Sequence, residues 1–190
     1  MNRKNTKYKI QNTGPKLNAK QLRVSEPTKA DLKKIKRRQI YIICDNILDT
    51  YNIGSIFRLA DAVAASKIYL CGQTVTPPYH RISKAAVGTE KWVPWQKVES
   101  VAEAVSIVRS EESKCKVVAI EQSKKSIDYR KADFSEPVAF IVGHETRGVS
   151  KEALALADEI VELPMYGVNR SLNVMVSLAI VLFKAVETAH

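Results

Sequence analysis

The chain has 190 residues, 45% of them hydrophobic and 26% charged, which is ordinary for a globular protein with one sizeable core. Its longest apolar run, residues 174–183, is about half as long as a membrane-spanning helix needs to be. The basic N-terminus lacks the apolar stretch of a secretory signal, so we expect neither a membrane protein nor a secreted one.

Positive charge is concentrated at the N-terminus. Residues 1–38 carry 13 Lys and Arg and 2 acids, whereas residues 39–190 carry 17 and 18, so the formal net charge of +10 arises from the first segment. A basic arm on a nearly neutral domain favours a polyanionic partner, with nucleic acid ahead of a membrane surface. The alternative is a solvated tail that only aids solubility. Residues 1–25 contain few large apolar side chains, and we expect this part of the arm to be disordered in the free protein.

Regular elements are predicted from residue 28 onward. The stretch "TKADLKKIKRR" (28–38) predicts a short basic helix with Thr28 as its N-cap and Asp31 three residues later. Beyond it, strand-like apolar runs alternate with segments of helical periodicity. The predicted strands are 39–45, 67–72, 116–121, 137–143 and 159–164, and the predicted helices are 52–65, 100–111, 150–157 and one from about 171 to the C-terminus. This alternation predicts one α/β domain over residues 39–190, with a mostly parallel sheet and a site at the carboxyl ends of its strands.

Three cysteines, Cys44, Cys71 and Cys115, are far apart in the sequence and odd in number. Two of them lie in strand-like runs, so we interpret all three as reduced, structural residues of a cytoplasmic protein. The three histidines show no metal-ligand spacing with the cysteines, and we expect no metal site.

The stretch "NIGSIFR" (52–58) opens the first predicted helix of the domain. Asn52 is a residue type that can cap this helix, and Arg58 follows in about the second turn among apolar neighbours. From the residues alone, Arg58 either forms a surface salt bridge or reaches an anion at the end of the sheet.

The stretch "GHETRG" (143–148) follows a predicted buried strand and places Glu145 between two glycines. A carboxylate at this position can hold an amine, a hydroxyl or an arginine, or it can be the exposed side chain of an ordinary turn. The stretch does not match a phosphate-binding loop, and its carboxylate would repel a phosphate group.

The stretch "PMYGVNRSLNV" (164–174) leads into the last predicted helix. Ser171 can cap that helix. Asn173 would then be a polar group near a core, which must find a partner or cost about 1–3 kcal/mol. The helix is apolar nearly all round, so we expect it to be buried between the domain and a second subunit.

Taken together, "NIGSIFR", "GHETRG" and "PMYG…SLNV" resemble, in order and spacing, the three motifs of the SpoU/TrmH branch of the SPOUT superfamily of RNA methyltransferases. The resemblance covers about residues 39–190. It implies a SPOUT-type α/β fold with a C-terminal trefoil knot, S-adenosylmethionine as cofactor and a homodimer through the last helix. The implied reaction is methyl transfer to a ribose 2′-hydroxyl in tRNA or rRNA.

The resemblance also implies roles for single residues. Arg58 matches the catalytic arginine, and we expect it to pair with an RNA phosphate and stabilise the developing alkoxide, because a guanidinium stays protonated and is a poor base. The other polar positions, expected to orient the ribose, Arg58 or the cofactor, are Asn52, Glu145, Ser171 and Asn173. The expected cofactor contacts are Ile120, Gly143, Leu163, Met165 and Leu172.

Other functions stay open on the sequence alone. A protein of this fold could be a catalytically silent RNA-binding protein, or it could methylate a base instead of a ribose. An unrelated nucleotide-binding α/β enzyme is disfavoured by the missing phosphate loop. In any of the RNA-binding cases, we expect the arm of residues 1–38 to bind RNA backbone with little sequence preference.

Overall fold

The computed structural model of the chain describes residues 14–188. The strands in this part are β1 (Arg38–Asp45), β2 (Ala65–Cys71), β3 (Trp95–Val98), β4 (Lys116–Ile120), β5 (Ile127–Asp128), β6 (Val138–Gly143) and β7 (Glu159–Glu162). The α-helices are α1 (Ala19–Val24), α2 (Lys29–Lys34), α3 (Thr50–Ala62), α4 (His80–Ala86), α5 (Val101–Glu111), α6 (Lys151–Leu156) and α7 (Val174–Thr188). No helix within residues 14–188 is both long enough and apolar enough to cross a bilayer.

The seven strands form one sheet in the order β3-β2-β1-β6-β4-β7-β5, and every neighbouring pair is parallel. The predicted α/β class and parallel sheet are therefore confirmed. All carboxyl ends lie on one edge, and the chain crosses from β3 on one side of β1 to β4 on the other. Strand pairing does not test the trefoil knot, which stays a prediction.

Helices cover both faces of the sheet, which explains why the central strands are apolar throughout. Along β1, Ile40, Ile42 and Cys44 pack into a core with α3, α4 and α7, whereas Tyr41 and Ile43 pack on the other face with α5 and α6. Residues that alternate along a strand point to opposite faces. A continuous apolar run is thus typical of a parallel strand buried on both sides.

Two predicted helix caps are wrong. Helix α3 begins earlier than expected, and its N-cap is Asp49, whose side chain accepts the N–H groups of Tyr51 and Asn52. The apolar pattern starts only at Ile53, because Thr50 and Tyr51 face the solvent at least in part, so the pattern hid the first turn. Asn52 is instead buried within that turn.

Helix α7 begins later than expected, so Ser171 does not cap it. Asn173 takes that place, because its Oδ1 accepts the N–H of Met175 at 2.9 Å and its carbonyl accepts the N–H of Ser177 at 3.0 Å. One face of α7, with Leu178, Val181 and Leu182, is buried against the domain as predicted.

The described part of the N-terminal arm is ordered against the domain. Thr28 caps α2 in a capping box with Asp31, as predicted. Residues 1–13 lie outside the described residues, and residues 19–24 form helix α1, which the sequence did not predict. The Trp92 indole donates to Ser25 Oγ at 3.1 Å, and Lys91 pairs with Glu26 at 2.5 Å. These polar contacts attach the segment to the domain, although it has few large apolar side chains to bury.

Candidate active site

A pocket opens at the carboxyl edge of the sheet, where β4, β6 and β7 end beside the start of α7. Its cavity volume is about 190 Å³. Its lining residues are Ile120, Glu121, Gln122, Val142, Gly143, His144, Glu145, Thr146, Gly148, Glu162, Leu163, Met165, Ser171, Leu172, Val174 and Ser177. Parallel pairing brings these distant segments together at one edge, as expected for an α/β sheet.

The pocket collects most of the residues predicted from the sequence. All five expected cofactor contacts line it, namely Ile120, Gly143, Leu163, Met165 and Leu172. Glu145 and Ser171 line it as well. Asn52 and Asn173 lie behind the wall and touch it through hydrogen bonds, whereas Arg58 is not part of the lining. Whether these residues bind a cofactor is not tested by their position, and that role stays a prediction.

Glu145 joins the loop after β6 to the start of α3. Its Oε1 accepts the N–H of Asp49 at 3.0 Å and the Nδ2 of Asn52 at 2.9 Å, and its Oε2 accepts the N–H of Leu48 at 3.3 Å. Backbone N–H groups at the start of a helix have no partner within the helix, so a carboxylate there is favourable. The turn glutamate is thus a structural acceptor at the wall of the pocket.

The pKa of Glu145 is lowered from its ordinary value of 4.5. Burial alone would raise this pKa, but hydrogen bonds from Asn52 and from backbone N–H groups outweigh burial because they favour the ionised carboxylate. Glu145 therefore stays ionised at neutral pH, where it orients its neighbours and is a weak base.

Asn52 and Asn173 continue the hydrogen bonds of Glu145 into the last helix. Asn52 accepts the Nδ2 of Asn173 at 3.0 Å on its Oδ1, and the Oδ1 of Asn173 accepts the N–H of Met175. A carboxylate only accepts, so Asn52 must turn its NH₂ toward Glu145 and its oxygen toward Asn173. The direction of every hydrogen bond in this network is therefore fixed, and the network connects all three motif stretches.

Arg58 lies on the third turn of α3 with an exposed side chain. It follows Asn52 by six residues, which is about 9 Å along the helix axis. Within the described residues its guanidinium makes no hydrogen bond or ion pair, so the surface salt bridge considered from the sequence is absent there. The charge is available to an anion from solution.

Sequence reasoning missed two residues that follow β4 directly. Glu121 accepts the N–H of Val149 at 2.8 Å on Oε2, which ties the loop after β6 to the end of β4. Gln122 donates from Nε2 to the carbonyl of Arg170 at 2.6 Å, which ties in the loop before α7. Polar residues placed immediately after a buried strand were the available signal, because the carboxyl ends of parallel strands share an edge.

The wall of the pocket is acidic. Glu121, Glu145 and Glu162 contribute carboxylates, and no lining residue in the described chain is Lys or Arg. Such a wall attracts cationic groups and repels phosphates. The pocket therefore suits a positively charged ligand and disfavours a nucleotide diphosphate or triphosphate.

The cysteines take no part in the site. Burial raises the pKa of Cys71 and of Cys115 to about 12, and burial raises the pKa of Cys44 well above its ordinary value. All three are unpaired thiols. They stay protonated at neutral pH, so they are poor nucleophiles.

Comparison with known proteins gives consistent results. The chain matches the SpoU rRNA Methylase family over residues 39–183. It is 31% identical over 157 residues to the tRNA (guanosine(18)-2'-O)-methyltransferase of Aquifex aeolicus, which is 79% of this chain and 70% of that protein. The crystal structure of the A. aeolicus TrmH/SpoU tRNA modifying enzyme is similar with a TM-score of 0.72 at 28% identity, over 90% of this chain and 81% of that one.

A second structure contains a ligand. The SpoU methyltransferase AviRb from Streptomyces viridochromogenes, in complex with the cofactor AdoMet (S-adenosylmethionine), is similar with a TM-score of 0.73 at 25% identity, over 86% of this chain and 65% of that one. The family match includes all three motif stretches, from Asn52 to Asn173. Motifs, sheet and family match agree, and the chain belongs to the SpoU rRNA methylase family.

Proposed function

We propose that the chain transfers a methyl group from S-adenosylmethionine to a ribose 2′-hydroxyl in tRNA or rRNA. The observation that carries the proposal is that the second and third motif stretches line one pocket, and that Asn52 of the first is joined to them by hydrogen bonds with Glu145 and Asn173. The tRNA 2'-O-methyltransferase relative and the AdoMet complex of AviRb support the same reaction and the same cofactor.

The residues of the pocket fit this cofactor in polarity and in charge. Ile120, Leu163, Met165 and Leu172 offer apolar contacts to an adenine ring and an aliphatic chain, beside the backbone of Gly143. The three carboxylates of the wall complement the sulfonium and the ammonium group. When bound, the cofactor supplies a methyl group that is already activated by the positive sulfur.

The chain's own residues position the RNA for this reaction. The ribose oxygen must come within about 3 Å of the methyl group, in line with the bond that breaks. In our proposal, Arg58 binds an RNA phosphate and stabilises the alkoxide that develops as the hydroxyl loses its proton. Glu145 keeps Asn52 and Asn173 in one orientation, and Ser171 contributes a hydroxyl at the pocket wall that orients the ribose.

Transfer of labelled methyl from S-adenosylmethionine to unmodified tRNA and rRNA pools tests the proposal. The product is digested to nucleosides, and Arg58→Ala is assayed in parallel. We expect label in 2′-O-methyl nucleosides, lost in Arg58→Ala. Label on a base would contradict ribose methylation and would show that the protein methylates a base. Failure of calorimetry to detect cofactor binding would leave only the silent RNA-binding protein.

We also propose that the protein is a homodimer through α7. Val176, Ile180 and Phe183 lie one helical turn apart and are 36%, 36% and 50% exposed. Residues with this spacing share a face of a helix. An exposed apolar stripe opposite a buried one supports a second copy of the chain as its cover.

The N-terminal arm is proposed to bind RNA backbone, but not with all of its charges. Arg37 donates to the carbonyls of Ala65 and Trp92 at 3.0 and 2.6 Å, and Arg38 pairs with Glu136 at 2.5 Å with both side chains largely buried. These two arginines attach the arm to the domain. Deleting residues 1–38 would therefore damage the fold and would not report on RNA.

A milder change tests the arm. Lys20, Arg23, Lys29 and Lys33 are exposed on α1 and α2. Replacing all four by Gln should weaken RNA binding and make it less dependent on salt, because fewer counterions are released. Unchanged affinity and unchanged salt dependence would contradict a role for the described part of the arm.

A cytoplasmic location completes the proposal. Its support is the state of the cysteines, because Cys44, Cys71 and Cys115 are unpaired and buried. Compartments that keep thiols reduced are those in which such cysteines are common. Fractionation of cells that produce the protein tests this, and recovery outside the cytoplasmic fraction would contradict it.

A further inference from the structure

Charge changes sign between the interior of the pocket and its surroundings. The wall is acidic, but the connections at this edge of the sheet also carry five exposed cations, Lys124, Lys125, Arg130, Arg147 and Arg170, which we call the basic rim. The net charge of residues 39–190 did not indicate this surface, because these residues include more acids than bases. The fold collects these cations from four connections at the carboxyl edge of the sheet.

The members of the rim lie beside residues that line the pocket. Arg147 stands between the lining residues Thr146 and Gly148, and Arg170 precedes the lining residue Ser171. Lys124 follows the lining residue Gln122 by two positions. Adjacent Cα atoms are about 3.8 Å apart, so the backbone of Arg147 and of Arg170 lies directly beside the lining of the pocket, and that of Lys124 lies close to it.

Most of this charge is not neutralised by the protein. Lys124, Lys125, Arg147 and Arg170 form no ion pair among the residues that the structure describes. Arg130 is the exception, because it pairs with Asp128. Exposed cations without acidic partners, gathered on one surface, are typical of sites that contact phosphates.

The rim also has an aromatic member. Tyr166 follows the lining residue Met165 and is 86% exposed, and its hydroxyl lies 3.3 Å from Nη2 of Arg130. Apart from this contact the tip of the loop is open, since nothing lies within 4 Å of the position of a Cβ built on Gly167. A large aromatic side chain held this far into solvent offers a face to a planar partner.

We infer that the basic rim and Tyr166 form the surface that holds the RNA segment around the methylated nucleotide. The cations contact phosphates on either side of it, and Tyr166 stacks on a base. The inference rests on the proposed function, and it adds an RNA surface of the domain itself to that of the arm.

The cations are tested with charge-neutralising variants and a matched control. Lys124→Gln, Arg147→Gln and Arg170→Gln are made as single variants and as one triple variant. The control is Lys114→Gln, which changes an exposed lysine before β4, at the opposite edge of the sheet. For each, RNA affinity is measured across a salt series, and cofactor affinity by calorimetry. We expect the triple variant to reduce the slope of log affinity against log salt by about 0.7 for each lost contact to single-stranded RNA. Lys114→Gln should retain the wild-type slope.

Stacking is tested by Tyr166→Ala against Tyr166→Phe. Loss of the ring should raise the KM for RNA about tenfold, whereas Phe should keep nearly wild-type KM because it retains the stacking face. The dissociation constant for S-adenosylmethionine should be the same in all three proteins. Equal KM values for Tyr166→Ala and wild type would overturn the role of Tyr166.

The outcomes separate this inference from the proposed function. Rim variants that bind RNA with the wild-type salt slope overturn the inference, whether or not methyl transfer occurs. A wild-type protein that binds RNA through the rim but transfers no methyl group overturns the proposed function and supports the inference.

Discussion

Asn52 is held between two polar partners that leave its amide a single orientation. Asn52→Asp would set a second carboxylate within hydrogen-bond distance of Glu145 and remove the donor that Glu145 needs. We expect the free energy of unfolding in urea at pH 7 to fall by about 2 kcal/mol. The double variant Asn52→Asp/Glu145→Gln restores a donor opposite an acceptor and should recover part of this. Equal losses for the single and the double variant would contradict the network.

The lowered pKa of Glu145 makes part of the stability dependent on pH. Its hydrogen bonds favour the ionised form, so their contribution is fully present above the ordinary value of 4.5 and is lost as the pH falls through the lower pKa of the folded protein. The difference in unfolding free energy between wild type and Glu145→Gln should therefore be constant at neutral pH and shrink in acid. The exposed Glu111→Gln is the control. A difference that is the same at every pH would contradict the shift.

At the scale of elements, the contact of α3 with α4 depends on one glycine. A Cβ on Gly54 would lie 2.5 Å from Cβ of Ala85 and 2.7 Å from the carbonyl oxygen of Ile82. Gly54→Ala should therefore push α4 away and cost about 1–3 kcal/mol of unfolding free energy. Gly167→Ala, where nothing lies within 4 Å, is the control and should cost little. Equal effects of the two substitutions would contradict tight packing at Gly54.

Elements with a strong hydrophobic pattern were predicted from the sequence, whereas short elements and first turns without such a pattern were not. The buried strands and long helices were found from their apolar runs. Strand β3 and helix α4 were missed, because both are short and β3 has only Val98 fully buried. The caps of α3 and α7 were misplaced for the same reason, since their first turns carry exposed or polar residues that no apolar pattern marks.

Single residues of the site could be predicted from the sequence, but contacts between residues distant in the chain could not. The family resemblance located Glu145 and the five expected cofactor contacts that line the pocket, because it identifies residues by their order along the chain. The bond between Asn52 and Asn173 spans 121 positions, and the basic rim collects residues from separate loops. Such juxtapositions depend on the order of strands in the sheet, which the sequence alone did not provide.

For the whole molecule, the exposed stripe of α7 predicts an effect on assembly. Phe183→Glu would place a charge in the proposed dimer interface, where burying it without a partner is unfavourable. We expect sedimentation to show a shift from dimer to monomer, with the isolated fold intact because Phe183 is half exposed. Tyr79→Glu, an exposed aromatic position at the N-cap of α4, should leave the dimer unchanged. A dimer that survives Phe183→Glu would contradict this interface.

The acidic wall of the pocket has a consequence for competition inside a cell. ATP shares its adenosine with the proposed cofactor and is far more abundant than it. Where the cofactor carries a positive sulfur, however, ATP carries phosphates, and Glu121, Glu145 and Glu162 would repel them. We therefore expect the same three side chains to favour the methyl donor and to weaken the binding of ATP, without any gate or moving part.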